Sequence, residues 1–120
     1  MKKKIIVITG GAGFVGSNLI KSILDVTDLQ IISIDNYFSG YVSNHIKNNR
    51  IKYIRADTKD ISNILKKRVK KIKALFHFGE FSRIHQSFFE LDRCLESNVK
   101  GTRNVIDFCL KNKIKLIYSA

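Results

Sequence analysis

The 120-residue sequence predicts a single α/β domain, residues 1–120, built on a parallel sheet with helices on both faces. Three observations predict it. Short β-branched runs alternate with longer amphipathic stretches, the pattern of strand–helix–strand units. The runs are almost continuously apolar instead of alternating, as strands covered on both faces must be. A cluster of glycines stands where the first strand hands over to the first helix.

The elements follow in order. The first strand is Lys4 to Thr9. A helix from Phe14 to Leu24 carries Val15, Leu19, Ile20, Ile23 and Leu24 at helical spacing. Gln30 to Asp35 is the second strand, and Asn36 to Arg50, rich in Ser, Asn, Gly and Tyr, reads as a loop. Lys52 to Arg55 is the third strand. A helix over Asp60 to Lys71 presents Ile61, Ile64, Leu65 and Val69, and Lys73 to Phe78 is the fourth strand. A long helix then runs from about Phe88 to Asn112, with Leu91, Leu95, Val99, Val105, Ile106, Cys109 and Leu110 as its apolar side. Lys115 to Ser119 closes the set as the fifth strand. Right-handed crossovers place the strands most simply in the order 3-2-1-4-5. No internal repeat, low-complexity segment, linker or proline interrupts the chain.

Composition narrows the class. A hydrophobic fraction of 44% with 27% charged residues is that of a folded globular chain. The Lys2 to Lys4 run is followed by only four apolar residues, too few for an export signal or a membrane span. With two cysteines and no such signal, the reducing cytoplasm is the expected location. Cys94 and Cys109 fall in one predicted helix, about 22 Å apart along its axis, too far to pair, and read as small apolar fillers. The net charge of +12 is the outlier. Its cations are dispersed except at Lys2 to Lys4 and at Lys66, Lys67, Arg68, Lys70, Lys71 and Lys73, so a solvated basic surface is expected, without a nucleic-acid or membrane partner.

The run Thr9-Gly10-Gly11-Ala12-Gly13-Phe14-Val15-Gly16 carries the chemistry. It satisfies both Gly-x-Gly-x-x-Gly (11, 13, 16) and Gly-x-x-Gly-x-x-Gly (10, 13, 16). Such a turn lets the backbone approach a pyrophosphate, and the helix start supplies free N–H groups and a favourable dipole for it. Asp35 ends the second strand 19 residues after Gly16, near the spacing of the carboxylate that holds an adenosine ribose. That carboxylate accepts hydrogen bonds from a ribose diol and repels a 2′-phosphate, so the expected cofactor is NAD rather than NADP. The fold class is therefore a Rossmann-type, doubly wound, three-layer αβα sheet.

These residues resemble the extended short-chain dehydrogenase/reductases, the NAD-dependent epimerase/dehydratase family that includes UDP-galactose 4-epimerases. The resemblance runs the length of the chain. It rests on Thr9 to Gly16, Asp35-Asn36 with Ser39-Gly40, Ala56 to Asp60, His77-Phe78-Gly79, Ser97 to Thr102 and Leu116 to Ala120. It implies that Gly10, Gly13, Phe14, Val15 and Gly16 bind the pyrophosphate and that Asp35, Asn36, Ser39 and Gly40 hold the adenosine ribose. Asp57 and Thr58 would contact the adenine, with Asp57 as a helix-start acid the plainer alternative. Phe78, Gly79 and Glu80 would line the cofactor's middle, with Ser97 and Asn98 behind it, Asn98 serving equally well as a structural tie. Ser119 would begin the nicotinamide floor. His77 packs in or beside its strand, and neither His45 nor His85 has metal-like spacing, so no metal is expected.

Glu80 departs from the family's small residues, and a carboxylate beside a diphosphate needs a partner. Arg83 either pairs with it, points to a substrate phosphate, or is simply solvated. The resemblance further implies a nucleotide-diphosphate sugar substrate, transient hydride transfer, and a homodimer pairing the long helix with its copy. In this family a Ser or Thr after the fifth strand and a Tyr-x-x-x-Lys run the reaction. None of Tyr37, Tyr41, Tyr53 and Tyr118 has a lysine four positions on, so no catalytic residue is assigned. The expectation is a Rossmann domain cut after its fifth strand, lacking the substrate domain and inactive alone. The rival reading is a non-catalytic NAD-sensing or protein-interaction module.

Overall fold

The computed structural model describes residues 2–38, 40–79 and 96–118, the side chains of 96–98 excepted. Five parallel strands form one sheet in the order β3-β2-β1-β4-β5: β1 Ile5–Thr9, β2 Gln30–Asp35, β3 Ile51–Arg55, β4 Ile72–His77 and β5 Lys115–Tyr118. This is the Rossmann arrangement, as the patterning predicts. Every residue of β1 is buried, because the strand is central and covered on both faces. Its alternate side chains divide the core in two. Ile6 and Ile8 join Ile20, Leu24, Ile31 and Ala74 on one face. Ile5 and Val7 join Ile32, Ile34, Ile61, Leu65, Leu75, Val105 and Phe108 on the other.

Helix α1, Phe14–Val26, covers the first face through Gly16, Ile20 and Leu24. Leu19 and Ile23 pack at its margin, but Val15, expected on the apolar side, is 57% exposed. The helix turns Val15 outward because Gly16 takes the position against the sheet. Its end is covered by Arg50, whose guanidinium donates to the carbonyls of Leu24 (2.6 Å), Thr27 (2.8 Å) and Leu29 (3.0 Å). A cation at a helix C-terminus satisfies orphan carbonyls and opposes the negative end of the dipole.

The helix expected over 60–71 is shorter. A 3-10 turn at Thr58–Asp60 leads into α2, Ile61–Leu65, and a second 3-10 turn at Val69–Lys71 leads into β4. A continuous helix would set Lys66 against Lys70 and Lys67 against Lys71, like charges four apart. With the tighter turns Ile61 and Leu65 stay fully buried and Ile64 and Val69 pack at the core's edge. Among its described residues the expected loop 36–50 is irregular apart from one 3-10 turn at Val42–Asn44.

Of the expected long helix, 88–95 lies outside the described residues. The remainder is a π-helical turn, Glu96–Gly101, followed by α3, Thr102–Asn112. The buried stripe of α3 is Val105, Phe108 and Cys109. Ile106 and Leu110, expected on it, are exposed at 39% and 74%, as is Val99 at 58%. Two apolar stripes exist on this helix, and the one that carries Phe108 is the one that meets the sheet. Lys113, in the left-handed region at φ 55°, ends α3, and the Ile114 amide donates back to the Cys109 carbonyl at 2.9 Å. Cys109 is a buried free thiol, an apolar filler whose pKa burial pushes up to about 11; Cys94 lies outside the described residues. Among the described residues no helix is long and apolar enough to cross a membrane.

Candidate cofactor site

The sheet order reverses between β1 and β4, and the glycine turn sits at the carboxyl ends of both strands. Ligands of open parallel sheets bind at this switch point. Gly10 leaves β1 with φ 75°, and its amide donates to the Ile34 carbonyl at 2.7 Å. A Cβ there would lie 2.7 Å from the Phe78 carbonyl oxygen, so glycine is required for both conformation and contact. At Gly16 a Cβ would overlap the Gly10 carbonyl, which is how the first turn of α1 comes to lie against the end of β1. No side chain caps α1, whose Ncap is Gly13, and no acid lies in its first turn. The first-turn N–H groups are therefore available to an anion, with Phe14 (82% exposed) and Val15 at the open surface.

Asp35 is buried at the end of β2 and is held by two backbone donors. Ala12 donates to Oδ2 at 3.0 Å and Tyr37 to Oδ1 at 2.8 Å. A carboxylate offers about four lone-pair positions, so two remain for a ligand diol. The Ala12 carbonyl in turn accepts from the Tyr41 amide (3.1 Å) and from Asn44 Nδ2 (2.8 Å), which ties the loop after β2 to the glycine turn. Gly40 leaves the carboxylate room, since a Cβ there would come within 2.8 Å of Asp35 Oδ2. The Asn36 side chain accepts from the Phe38 amide at 3.0 Å, shaping the same loop.

Next to Asp35 a cleft is lined by Ile34, Asp35, Asn36, Ala56, Thr58 and Gly79. Thr58 is buried in it. Asp57 stands beside it, and its Oδ1 accepts from the Lys59 amide at 3.2 Å, so it does cap the short helical turn. Phe78 and Gly79 follow β4 and lie against the glycine turn. The backbone of Ser97 and Asn98 belongs to the π-helical turn, a feature frequent at functional sites. Ser39, Glu80, Arg83 and Ser119 lie outside the described residues, as does His85.

Sequence reasoning missed three features. Tyr37 is left-handed at φ 62°, and its hydroxyl pairs with His45 Nε2 at 2.6 Å. The His45 ring stacks on Tyr53 at 3.7 Å, while the Arg55 guanidinium lies 4.3 Å over the Tyr37 ring. Burial and the Asp35 charge raise the Tyr37 pKa, and burial raises that of Tyr53. The third is the chain of contacts from Thr9 through His77 to Thr102. The sole sequence signal for the aromatic group was the density of Tyr and His between 37 and 53.

The fold and the glycine turn define a Rossmann-type domain with a cleft beside Asp35 at the switch point of the sheet. Comparison with known proteins agrees with that class. The family model described as the 3-beta hydroxysteroid dehydrogenase/isomerase family matches residues 7–120, and the chain belongs to this family. An ADP-L-glycero-D-manno-heptose-6-epimerase of Brachyspira hyodysenteriae is 32% identical over 97% of this chain, which covers 36% of that protein. A UDP-N-acetylglucosamine 4-epimerase of Methanobrevibacter ruminantium M1, solved with UDP-N-acetylmuramic acid, is 30% identical with a TM-score of 0.82, over all of this chain and 38% of that one. The Bordetella bronchiseptica enzyme WbmG, solved with NAD, is 26% identical with a TM-score of 0.79, over 95% of this chain and 36% of that one. The chain thus spans little more than a third of the length of these relatives, and the resemblance to epimerases drawn from its motifs holds.

Proposed function

We propose that the chain binds NAD at this site and is the cofactor-binding part of a nucleotide-sugar epimerase or dehydratase. The observation that carries the reading is the Asp35 carboxylate, fixed by Ala12 and Tyr37 at the mouth of the glycine turn with capacity left for two hydroxyl donors. The cradle fits the group: the Gly10 to Gly16 turn brings backbone close, and the uncapped amides of α1 suit a diphosphate.

In this reading Gly10, Gly13, Phe14, Val15 and Gly16 hold the pyrophosphate, and Asp35, Asn36, Ser39 and Gly40 the ribose. Asp57 and Thr58 flank the adenine in the cleft beside Ala56. Phe78, Gly79 and Glu80 line the middle of the cofactor with Ser97 and Asn98 behind, and Ser119 begins the floor of the nicotinamide end. NAD, when bound, supplies the hydride acceptor and donor for a sugar carbon. What these residues do is bind and orient it, and Asp35 excludes a 2′-phosphate by charge.

The relatives named for ADP- and UDP-linked sugars support a nucleotide-diphosphate sugar as substrate; Arg83 is the residue proposed for its phosphate or as a partner of Glu80, with solvated charges the plainer alternative. Residues 1–120 hold no Tyr-x-x-x-Lys, so the chain by itself binds cofactor and turns nothing over. Val99, Ile106 and Leu110, exposed along one side of the last helical segment, support pairing with a second copy.

Calorimetry of the 120-residue chain with NAD and NADP is the test. Weak NAD binding, with NADP at least tenfold weaker still and Gly13→Val abolishing both, is expected, whereas micromolar affinity in a stable, monodisperse chain favours the non-catalytic NAD-sensing module. A folded chain indifferent to NAD sinks the reading.

A further inference from the structure

The hydroxyl of Thr9, fully buried at the end of β1, has three neighbours within hydrogen-bond distance. The amide of Phe78 donates to it at 3.0 Å and that of Gly79 at 2.9 Å. His77 Nδ1 lies 2.6 Å from it. A hydroxyl oxygen has two lone pairs and one hydrogen. The two amides can only donate, so they take both lone pairs, and the Thr9 hydrogen is left for His77 Nδ1. The ring nitrogen is then the acceptor. Its proton resides on Nε2, which donates to Thr102 Oγ1 at 3.0 Å. In the opposite tautomer, or in the imidazolium, three donors would converge on two lone pairs and the Thr9 hydrogen would lack this acceptor.

We propose that His77 is a positioning residue: as the Nε2–H tautomer it keeps the Thr9 hydroxyl turned to receive the Phe78 and Gly79 amides, and so sets the backbone bordering the cofactor cleft. The placement gives this turn its importance. The Phe78 carbonyl lies directly against Gly10, and Gly79 lines the cleft with Asp35 and Thr58. Through Thr102, the first residue of α3, the same imidazole joins that backbone to the end of the π-helical turn. The ring is fully buried, with Tyr118 of β5 at 5.6 Å between centroids. One side chain thus links β1, β4 and α3 behind the site. Its effect on cofactor affinity rests on the NAD reading above; its effect on the backbone does not.

The test begins with nitrogen NMR of the histidine rings in the 120-residue chain. A pyridine-type Nδ1 and pyrrole-type Nε2 for His77 are expected; the reverse, or an imidazolium at neutral pH, overturns the proposal. Two variants then separate positioning from packing. His77→Asn retains an oxygen near the Nδ1 position to accept from Thr9, and His77→Leu does not. Hydrogen exchange at Phe78 and Gly79 is expected to quicken about tenfold in His77→Leu, and to stay within a few-fold of the parent in His77→Asn. The NAD dissociation constant should follow the same order. Equal exchange in parent and His77→Leu overturns the proposal. If His77→Leu fails to fold, Thr9→Val against Thr9→Ser gives the same contrast, and equal exchange in those two overturns it as well. Should the NMR and exchange results hold while the parent ignores NAD, the positioning role stands and the cofactor reading alone falls.

Discussion

The amide of Ala12 and the carboxylate of Asp35, 23 residues apart in sequence, are joined by a hydrogen bond of 3.0 Å. The residue expected to select the cofactor is therefore also tied to the turn expected to hold its phosphates. Structure and recognition cannot be altered separately there.

Asp35→Ala should show both effects. It leaves the Ala12 and Tyr37 amides without their acceptor, a loss of about 1–3 kcal/mol in denaturant unfolding. NAD affinity should fall about 10- to 100-fold, and the preference over NADP should shrink with it because the repelling charge is gone. A variant that keeps full NAD affinity would remove Asp35 from the ribose site.

Gly16→Val drives side-chain carbons into the Gly10 carbonyl. Either the turn or α1 must move, at roughly 1–3 kcal/mol. Thermal unfolding should report that loss, and calorimetry a larger loss of NAD binding than stability alone explains. Unchanged binding would mean that this turn does not cradle the cofactor.

Arg50→Ala removes the three charged hydrogen bonds that cover the end of α1. Stability should drop by about 1.5–3 kcal/mol, with exchange quickened in the last turn of α1. Arg50→Lys, a point charge without the planar fork, should recover less than half.

Alkaline pH should destabilise the chain. The Cys109 thiol is pushed up to about 11 by burial, and Tyr37 and Tyr53 are raised by burial too, Tyr37 also by Asp35. Each group ionises more readily in the unfolded chain. Their protonated forms thus contribute stability that is intact below the unfolded values and is lost as pH climbs through the folded ones. Melting temperature should fall progressively above pH about 9, and Cys109→Ala should flatten part of that fall. Alkylation of Cys109 near neutral pH should be slow in the folded chain and fast in denaturant.

Much of this was legible in the sequence, and the failures have physical reasons. All five strands and their order were readable because parallel strands are local, largely apolar runs, although only the inner strands are buried as expected and the edge strands β3 and β5 have no fully buried residue; β2 matches Gln30 to Asp35 at both ends. The glycine turn and Asp35 were readable because spacing along the chain defines them. The buried side of α3 was not, since Val105 and Cys109 compete with Ile106 and Leu110 at the same period and only the sheet decides. Nor was the early end of α2, since Ile61, Ile64, Leu65 and Val69 reach the core through short helical turns as well as they would from one continuous helix. Thr9 with His77, 68 residues apart, and Arg50 with the end of α1 are side-chain contacts made by the finished fold, and no local pattern announces them.

The central position of β1 has a consequence for the order of assembly. Its outer neighbour β2 follows after one helix, but its other neighbour β4 begins only at Ile72. During synthesis the first strand must therefore wait, one edge satisfied and the other bare, until some forty further residues beyond β2 have emerged. Such an edge is the nascent chain's point of greatest exposure to wrong partners. Slowing the ribosome while β2 has emerged from the exit tunnel and β4 has not should thus lower the yield of native protein more than the same pause placed after β4 has emerged.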